Sequence, residues 1–95
     1  MESKLKVFIT GASSGIGSAL AEEYAKKGAI IGLAARRQDK LQKIKSNCET
    51  LGAEAVVTYN LDVTNEEESM NVAKDFTHLK KEGIDVVIAN AGVAF

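Results

Sequence analysis

The chain has 95 residues, 45% of them hydrophobic and 26% charged, and its formal net charge is −1. A chain of this length and composition is one small globular domain at most. The charge is balanced, with neither a basic stripe nor an acidic tail, and no apolar run approaches the ~20 residues of a membrane span, so the sequence argues against nucleic acid or a membrane as a partner.

A short apolar strand is predicted first, at residues 5–9. The run is too short for a signal peptide, and it leads directly into a glycine-rich turn at residues 10–17, with the sequence TGASSGIG. The first helix is predicted over residues 16–27. Its predicted apolar face consists of Ile16, Ala19, Leu20 and Tyr24. Gly28 stands where a glycine commonly ends a helix.

The second strand and helix follow in the same order. Residues 29–34 are almost wholly apolar, which predicts a strand buried on both faces. The second helix is predicted from apolar residues that recur every three or four positions ahead of Gly52, namely Leu41, Ile44, Cys48 and Leu51. Cys48 belongs to this apolar seam, so we expect a core residue rather than a nucleophile. A single cysteine forms no internal disulfide, which fits a cytoplasmic protein.

The third strand is predicted over residues 55–59 and the fourth over residues 84–89. Between them, Thr64 and Glu67 have the spacing of a capping box, which predicts a third helix that ends near Lys80. The order βαβαβαβ predicts an α/β fold of the Rossmann type, with a doubly wound parallel sheet in strand order 3-2-1-4. The apolar fourth strand is then an open edge, which favours pairing with a second copy of the chain.

The glycine-rich turn carries the strongest functional signal. A strand, a tight glycine loop and a helix N-terminus together bind the pyrophosphate of a dinucleotide. Gly11 lets the chain turn sharply, Gly15 keeps a side chain away from the phosphates, and Gly17 allows close helix packing. We expect Ser13 and Ser14 to hydrogen-bond the phosphates. Taken alone, three glycines in a short stretch are also compatible with a structural turn.

The end of the second strand is where such a fold reaches the adenosine ribose. An acidic residue there would accept hydrogen bonds from the ribose hydroxyls and repel a 2′-phosphate. This chain has Arg36 and Arg37 instead. A guanidinium donating to a phosphate contributes about 1.5–3 kcal/mol, so one good contact would favour NADP over NAD by about tenfold or more. Alternatively, the two arginines only solvate a loop.

Two more motifs follow the third and fourth strands, Asp62-Val63 and Asn90-Ala91-Gly92. By themselves, Asp62 is a turn residue ahead of a helix cap, and Asn90 and Gly92 are an ordinary turn signal. In order with TGASSGIG and the two arginines, however, the motifs resemble the cofactor-binding half of the short-chain dehydrogenase/reductase family. The resemblance covers essentially the whole chain.

This resemblance implies roles for the two later motifs. Asp62 would accept a hydrogen bond from the adenine amine, while the backbone amide of Val63 donates to the ring. Asn90 would join the central strands through Thr10, and the backbone of Ala91 and Gly92 would lie along a cofactor ribose. With the glycine-rich turn, the implied cofactor-binding set is Gly11, Ser13, Ser14, Gly15, Ile16, Gly17, Arg36, Arg37, Asp62, Val63, Asn90, Ala91 and Gly92.

The resemblance also implies an NAD(P)-dependent oxidoreductase that exchanges hydride with a carbonyl or alcohol, and Arg36 and Arg37 make NADP(H) the expected cofactor, with residues 1–95 as the dinucleotide-binding half-domain. The family's Ser and Tyr-x-x-x-Lys are not present, because Tyr24 and Tyr59 are followed four residues later by Gly28 and Val63. We therefore assign no catalytic residue and expect the chain alone to be inactive.

We assign no metal site, because His78 has no second His or Cys at ligand spacing. A function of another class stays open beside the enzymatic one. The chain could be a non-catalytic nucleotide-binding or interaction module that forms a homo-oligomer through its fourth strand.

Overall fold

The computed structural model describes residues 5–12, 15–61, 66–79 and 82–89. Its strands are β1 (Lys6–Thr10), β2 (Ile30–Ala35), β3 (Ala55–Asn60) and β4 (Val86–Ala89). Its helices are α1 (Gly15–Lys26), α2 (Gln38–Leu51) and α3 (Glu66–His78). All strand pairs are parallel and the order is β3-β2-β1-β4, which confirms the predicted doubly wound topology.

The predicted bounds of the strands, and of the first and third helices, agree with the observed bounds to within two residues. The capping box at Thr64 lies outside the described residues. None of the helices in the described ranges is long and apolar enough to cross a membrane.

The central strands β1 and β2 are buried on both faces of the sheet. Successive side chains of a strand point to opposite faces, so the two strands supply two separate cores. The core shared with α1 and α2 includes Val7, Ile9, Ile31 and Leu33. The core shared with α3 includes Phe8, Ile30 and Phe76. Such strands are continuous apolar runs rather than alternating ones, as the sequence predicts.

The buried face of α1 differs from the predicted one. The buried stripe consists of Gly17, Ala21 and Ala25. Leu20 and Tyr24 are only partly buried beside it, and the predicted Ile16 and Ala19 are exposed. Because the stripe consists of small residues, the helix lies close to the strands, and its larger apolar side chains are left at the margin or in solvent.

Helix α2 buries three of its four predicted apolar residues, namely Leu41, Ile44 and Cys48. The fourth, Leu51, is 38% exposed because the helix ends there. Gly52 then adopts φ 117°, a left-handed conformation that favours glycine, and its N–H donates to the carbonyls of Cys48 and Glu49.

Cys48 is a free thiol with no exposed surface. Burial raises the pKa of this thiol to about 11, and the negative charges of Glu22 and Glu49 act in the same direction. The thiolate is the nucleophilic form of cysteine, and the raised pKa disfavours it. Cys48 is therefore a core residue rather than a nucleophile, as its position in the apolar seam predicts.

A fully buried lysine joins β1 to the end of α3. The Nζ of Lys6 donates a hydrogen bond to the carbonyl of Thr77, at 3.0 Å, and another to the carbonyl of Leu79. It also lies 5.0 Å from the centre of the Phe76 ring. Carbonyls at a helix C-terminus lack partners within the helix and attract positive charge. Lys6 therefore stabilises the end of α3 from inside the core.

The Lys6→Met variant should lower the free energy of unfolding by about 1–3 kcal/mol, because two carbonyls lose their buried donor. Lys26→Met is the matched control, since among the described residues Lys26 makes only an exposed ion pair, with Glu23, and the variant should change stability by less than about 0.5 kcal/mol. Urea unfolding followed by circular dichroism measures both. Equal losses in the two variants would contradict the structural role of Lys6.

Candidate dinucleotide-binding site

The carboxyl ends of all four strands lie along one edge of the sheet. Thr10, the last residue of β1, pairs with Ala34 of β2 and Ala89 of β4. Ala35 at the end of β2 pairs with Asn60 of β3. The loops that follow the strands therefore start side by side, at the edge where open α/β sheets bind their ligands.

Hydrogen bonds hold the starts of these loops together. The N–H of Ala12 donates to the carbonyl of Ala34 at 3.2 Å, and the N–H of Leu61 donates to the carbonyl of Ala35 at 3.0 Å. The hydroxyl of Thr10 donates to the carbonyl of Ile88 at 3.4 Å. The glycine-rich turn is thereby fixed to its neighbours on both sides of β1.

Two glycines of the turn differ in what the structure requires of them. Gly11 has φ 65°, in the left-handed region that side chains disfavour, so the backbone itself requires glycine there. Gly15 has no such conformation, and a Cβ added to it would meet no other described residue within 4 Å. Neither backbone strain nor the packing of the chain therefore requires glycine at Gly15. What its missing side chain leaves is open space at the first turn of α1.

The N-terminus of α1 is electrostatically suited to an anion. Its first turn contains no acidic residue, so no side chain of that turn neutralises the positive end of the helix dipole. Gly15 and Ile16 are exposed. The open space at Gly15, at the N-terminal end of α1, fits the pyrophosphate of a dinucleotide.

The two predicted arginines stand where β2 gives way to α2. Arg37 is the residue that caps α2, and its own side chain makes no capping hydrogen bond. Its guanidinium instead contacts Asp39 in the first turn of the helix, and both side chains are exposed. The hydrogen bond from Arg37 is the main reason that the pKa of the Asp39 carboxyl lies below its usual value. Sequence reasoning did not anticipate this ion pair.

Arg36 differs from its neighbour. Its side chain is exposed, and within the parts of the chain that the structure describes it has no ion pair. Arg36 is therefore available to a phosphate at the carboxyl edge of the sheet.

Seven of the predicted binding residues lie outside the described residues: Ser13, Ser14, Asp62, Val63, Asn90, Ala91 and Gly92. The described part of the site thus consists of Gly11, Gly15, Ile16, Gly17, Arg36 and Arg37. In the ranges covered by the structure, no group of three or more side chains is arranged to hold a metal ion.

The residues set aside as non-catalytic have other contacts. The Tyr59 hydroxyl donates to the carboxylate of Asp75 at 2.7 Å, and burial raises the pKa of Tyr59 well above its ordinary value. His78 is exposed, with its Nδ1 3.0 Å from a carboxylate oxygen of Glu82. The ring of Tyr59 packs against Phe8 and Phe76 beside the core shared with α3, and His78 is the last residue of α3.

A parallel sheet in this strand order, with a glycine turn ahead of a helix N-terminus, defines a Rossmann-type fold. The sequence model of the family described as short chain dehydrogenase matches residues 5–95. The chain belongs to this family, and it corresponds to the amino-terminal portion of the relatives.

Individual relatives agree with this assignment. The chain is 45% identical to 11-beta-hydroxysteroid dehydrogenase A of Sesamum indicum over 87 residues, which are 92% of this chain and 25% of that protein. L-sorbose reductase from Gluconobacter frateurii, complexed with NADPH and L-sorbose, superposes with a TM-score of 0.82 at 36% identity, covering all of this chain and 36% of that one. An NADH-dependent reductase complexed with NAD superposes at 0.79 and 27% identity, over 92% of this chain and 36% of that one.

The Gly15→Ala variant tests the open space in the turn. The methyl group meets none of the described residues, so the free energy of unfolding should stay the same or rise by up to about 1 kcal/mol, because alanine favours helix over glycine. The affinity for NADPH should fall by about tenfold or more, because the methyl group occupies the space of a phosphate. Thermal unfolding and calorimetric titration measure the two quantities. Unchanged NADPH affinity would show that the cofactor does not approach Gly15.

Proposed function

We propose that this chain is the NADP(H)-binding part of an oxidoreductase of the short-chain dehydrogenase/reductase type. The observation that carries the proposal is the open space at Gly15, at the N-terminus of α1, whose first turn has no acidic residue. When bound, the nicotinamide of the cofactor supplies or accepts the hydride, and the other reactant is a carbonyl or an alcohol.

The chain's own residues bind and orient the cofactor in this proposal. N–H groups at the start of α1, with Ser13 and Ser14, hold the diphosphate. Asp62 and Val63 bind the adenine. The remaining contacts come from Asn90, Ala91 and Gly92, along the ribose next to the nicotinamide. Residues 1–95 act as the dinucleotide-binding half-domain, and no residue among them is assigned to proton transfer.

NADP is proposed as the preferred cofactor because of the charge at the end of β2. The 2′-phosphate distinguishes NADP from NAD, and here the chain presents two guanidinium groups and no acid at the first positions after the strand. Solved relatives include complexes with NADPH and with NAD, so the preference is argued from Arg36 and Arg37 themselves.

The chain spans about a quarter of the length of the curated relative and about a third of the solved structures. Hydride transfer is therefore proposed for the whole protein, with its catalytic groups supplied from outside residues 1–95. These relatives do not identify the substrate of this protein, so the proposal is limited to carbonyl or alcohol compounds as a class. The cytoplasmic location suggested by the single cysteine stays a prediction.

A second proposal concerns a partner. Strand β4 is an edge strand that pairs with β1 on one side, and the side chain of Val87 is 63% exposed. Exposed apolar edge strands pair with further strands. We infer that the isolated chain self-associates through β4. If the chain is a non-catalytic module, this association is its proposed function.

NADPH should bind the chain more tightly than NADH, by about tenfold or more, and replacing Arg36 and Arg37 together with Ala should erase the difference. Lys26→Ala with Lys27→Ala is the matched control. It also removes two positive charges, but at the C-terminal end of α1, so the ratio of NADPH to NADH affinity should stay unchanged. Calorimetric titration with both cofactors measures the ratio. Equal affinities before any substitution would refute phosphate recognition.

Self-association should appear as a concentration-dependent mass in sedimentation. Val87→Lys should shift the chain towards monomer, because a charged side chain on an edge strand opposes pairing. Met70→Lys on α3 is the control, since Met70 is also exposed, at 72%, and lies outside the sheet. A monomer at high concentration, or an equal effect of both variants, would contradict pairing through β4.

A further inference from the structure

The two arginines after β2 are not equivalent, because one of them is engaged by a neighbouring carboxylate. The Nε of Arg37 lies 3.4 Å from one carboxylate oxygen of Asp39, and a terminal guanidinium nitrogen lies 3.4 Å from the other. This is the forked, two-bond arrangement with which arginine also binds phosphate. The donors that a cofactor phosphate would use are thus directed to Asp39.

The Asp39 carboxylate and a cofactor phosphate would compete for the same guanidinium nitrogens of Arg37, but the ion pair with Asp39 is weak. Both side chains are more than half exposed, at 62% for Arg37 and 71% for Asp39, and an exposed pair of this kind is worth a factor of about five at most. A phosphate that recruits Arg37 must first displace the carboxylate, and it then lies beside the negative charge of Asp39. Arg36 has no such competitor among the described residues.

We propose that Asp39 is a specificity-determining residue that withholds Arg37 from the 2′-phosphate, so that Arg36 is the phosphate-binding arginine. The proposal rests on the NADP preference proposed above. The contact between Asp39 and Arg37 gives the chain a weaker preference for the phosphorylated cofactor than two available arginines would provide. Removal of the carboxylate frees the second guanidinium.

The test compares two small nucleotides that differ only in the 2′-phosphate. The 95-residue chain is titrated calorimetrically with adenosine 2′,5′-bisphosphate and with adenosine 5′-monophosphate, and the ratio of the two affinities isolates the phosphate contact. Asp39→Asn should raise this ratio about two- to fivefold. Glu49→Gln, which removes one negative charge from the other end of α2, should leave the ratio unchanged.

The double-mutant cycle with Arg37→Gln separates release of Arg37 from a general loss of negative charge. Arg37→Gln should lower the ratio by less than about twofold when Asp39 is present, and by about two- to fivefold when Asp39 is replaced by Asn. Equal effects of Arg37→Gln in both backgrounds, or a larger effect with Asp39 present, would overturn the proposal. So would an Asp39→Asn variant with an unchanged or lower ratio.

The outcomes also separate this inference from the proposed function. A ratio near one in the unaltered chain refutes the NADP preference, yet a ratio that rises in Asp39→Asn and depends on Arg37 still supports the role of Asp39. A high ratio that Asp39→Asn does not change refutes the role of Asp39 alone. If neither nucleotide binds, both proposals fail.

Discussion

In a parallel sheet every strand brings its carboxyl end to the same edge, and β1 fixes this edge for the neighbours on both of its sides. Its pairing with β2 and β4 places Thr10 beside Ala34 and Ala89. A shift of one pair by a single residue would turn the side chains of a strand to the opposite face. The two buried cores therefore hold the register, and the register holds the loops of the candidate site together.

The site requires little from its own side chains beyond that alignment. The diphosphate contact proposed here depends on backbone N–H groups and on the lack of a Cβ at Gly15, both of which follow from how α1 leaves the glycine turn. Discrimination between cofactors is the part that depends on side chains. The proposal assigns it to exposed residues after β2, where substitutions cost the fold little.

The sequence was sufficient for topology because each strand of the centre is a continuous apolar run and each helix has a recognisable end. Gly28 and Gly52 mark the ends of α1 and α2, and both adopt positive φ. The family assignment followed from short motifs at fixed places in that topology. These signals are local, so they are visible without coordinates.

Other features depended on packing, which periodicity does not encode. The face of α1 was predicted only in part, because the helix approaches the sheet through small residues, with Leu20 and Tyr24 partly buried beside them. The burial of Lys6 depends on carbonyls that lie more than 70 residues away along the chain. The pair of Arg37 with Asp39 is local, but its geometry depends on where α2 begins.

The buried position of Cys48 makes its reactivity a measure of how often α2 separates from the sheet. The thiol has no accessible surface, and its raised pKa keeps it in the unreactive form at neutral pH. An alkylating reagent reaches the sulfur only when α2 separates from the strands beneath it. The rate of alkylation therefore reports how often that helix detaches, and a bound ligand that fastens the start of α2 would slow it.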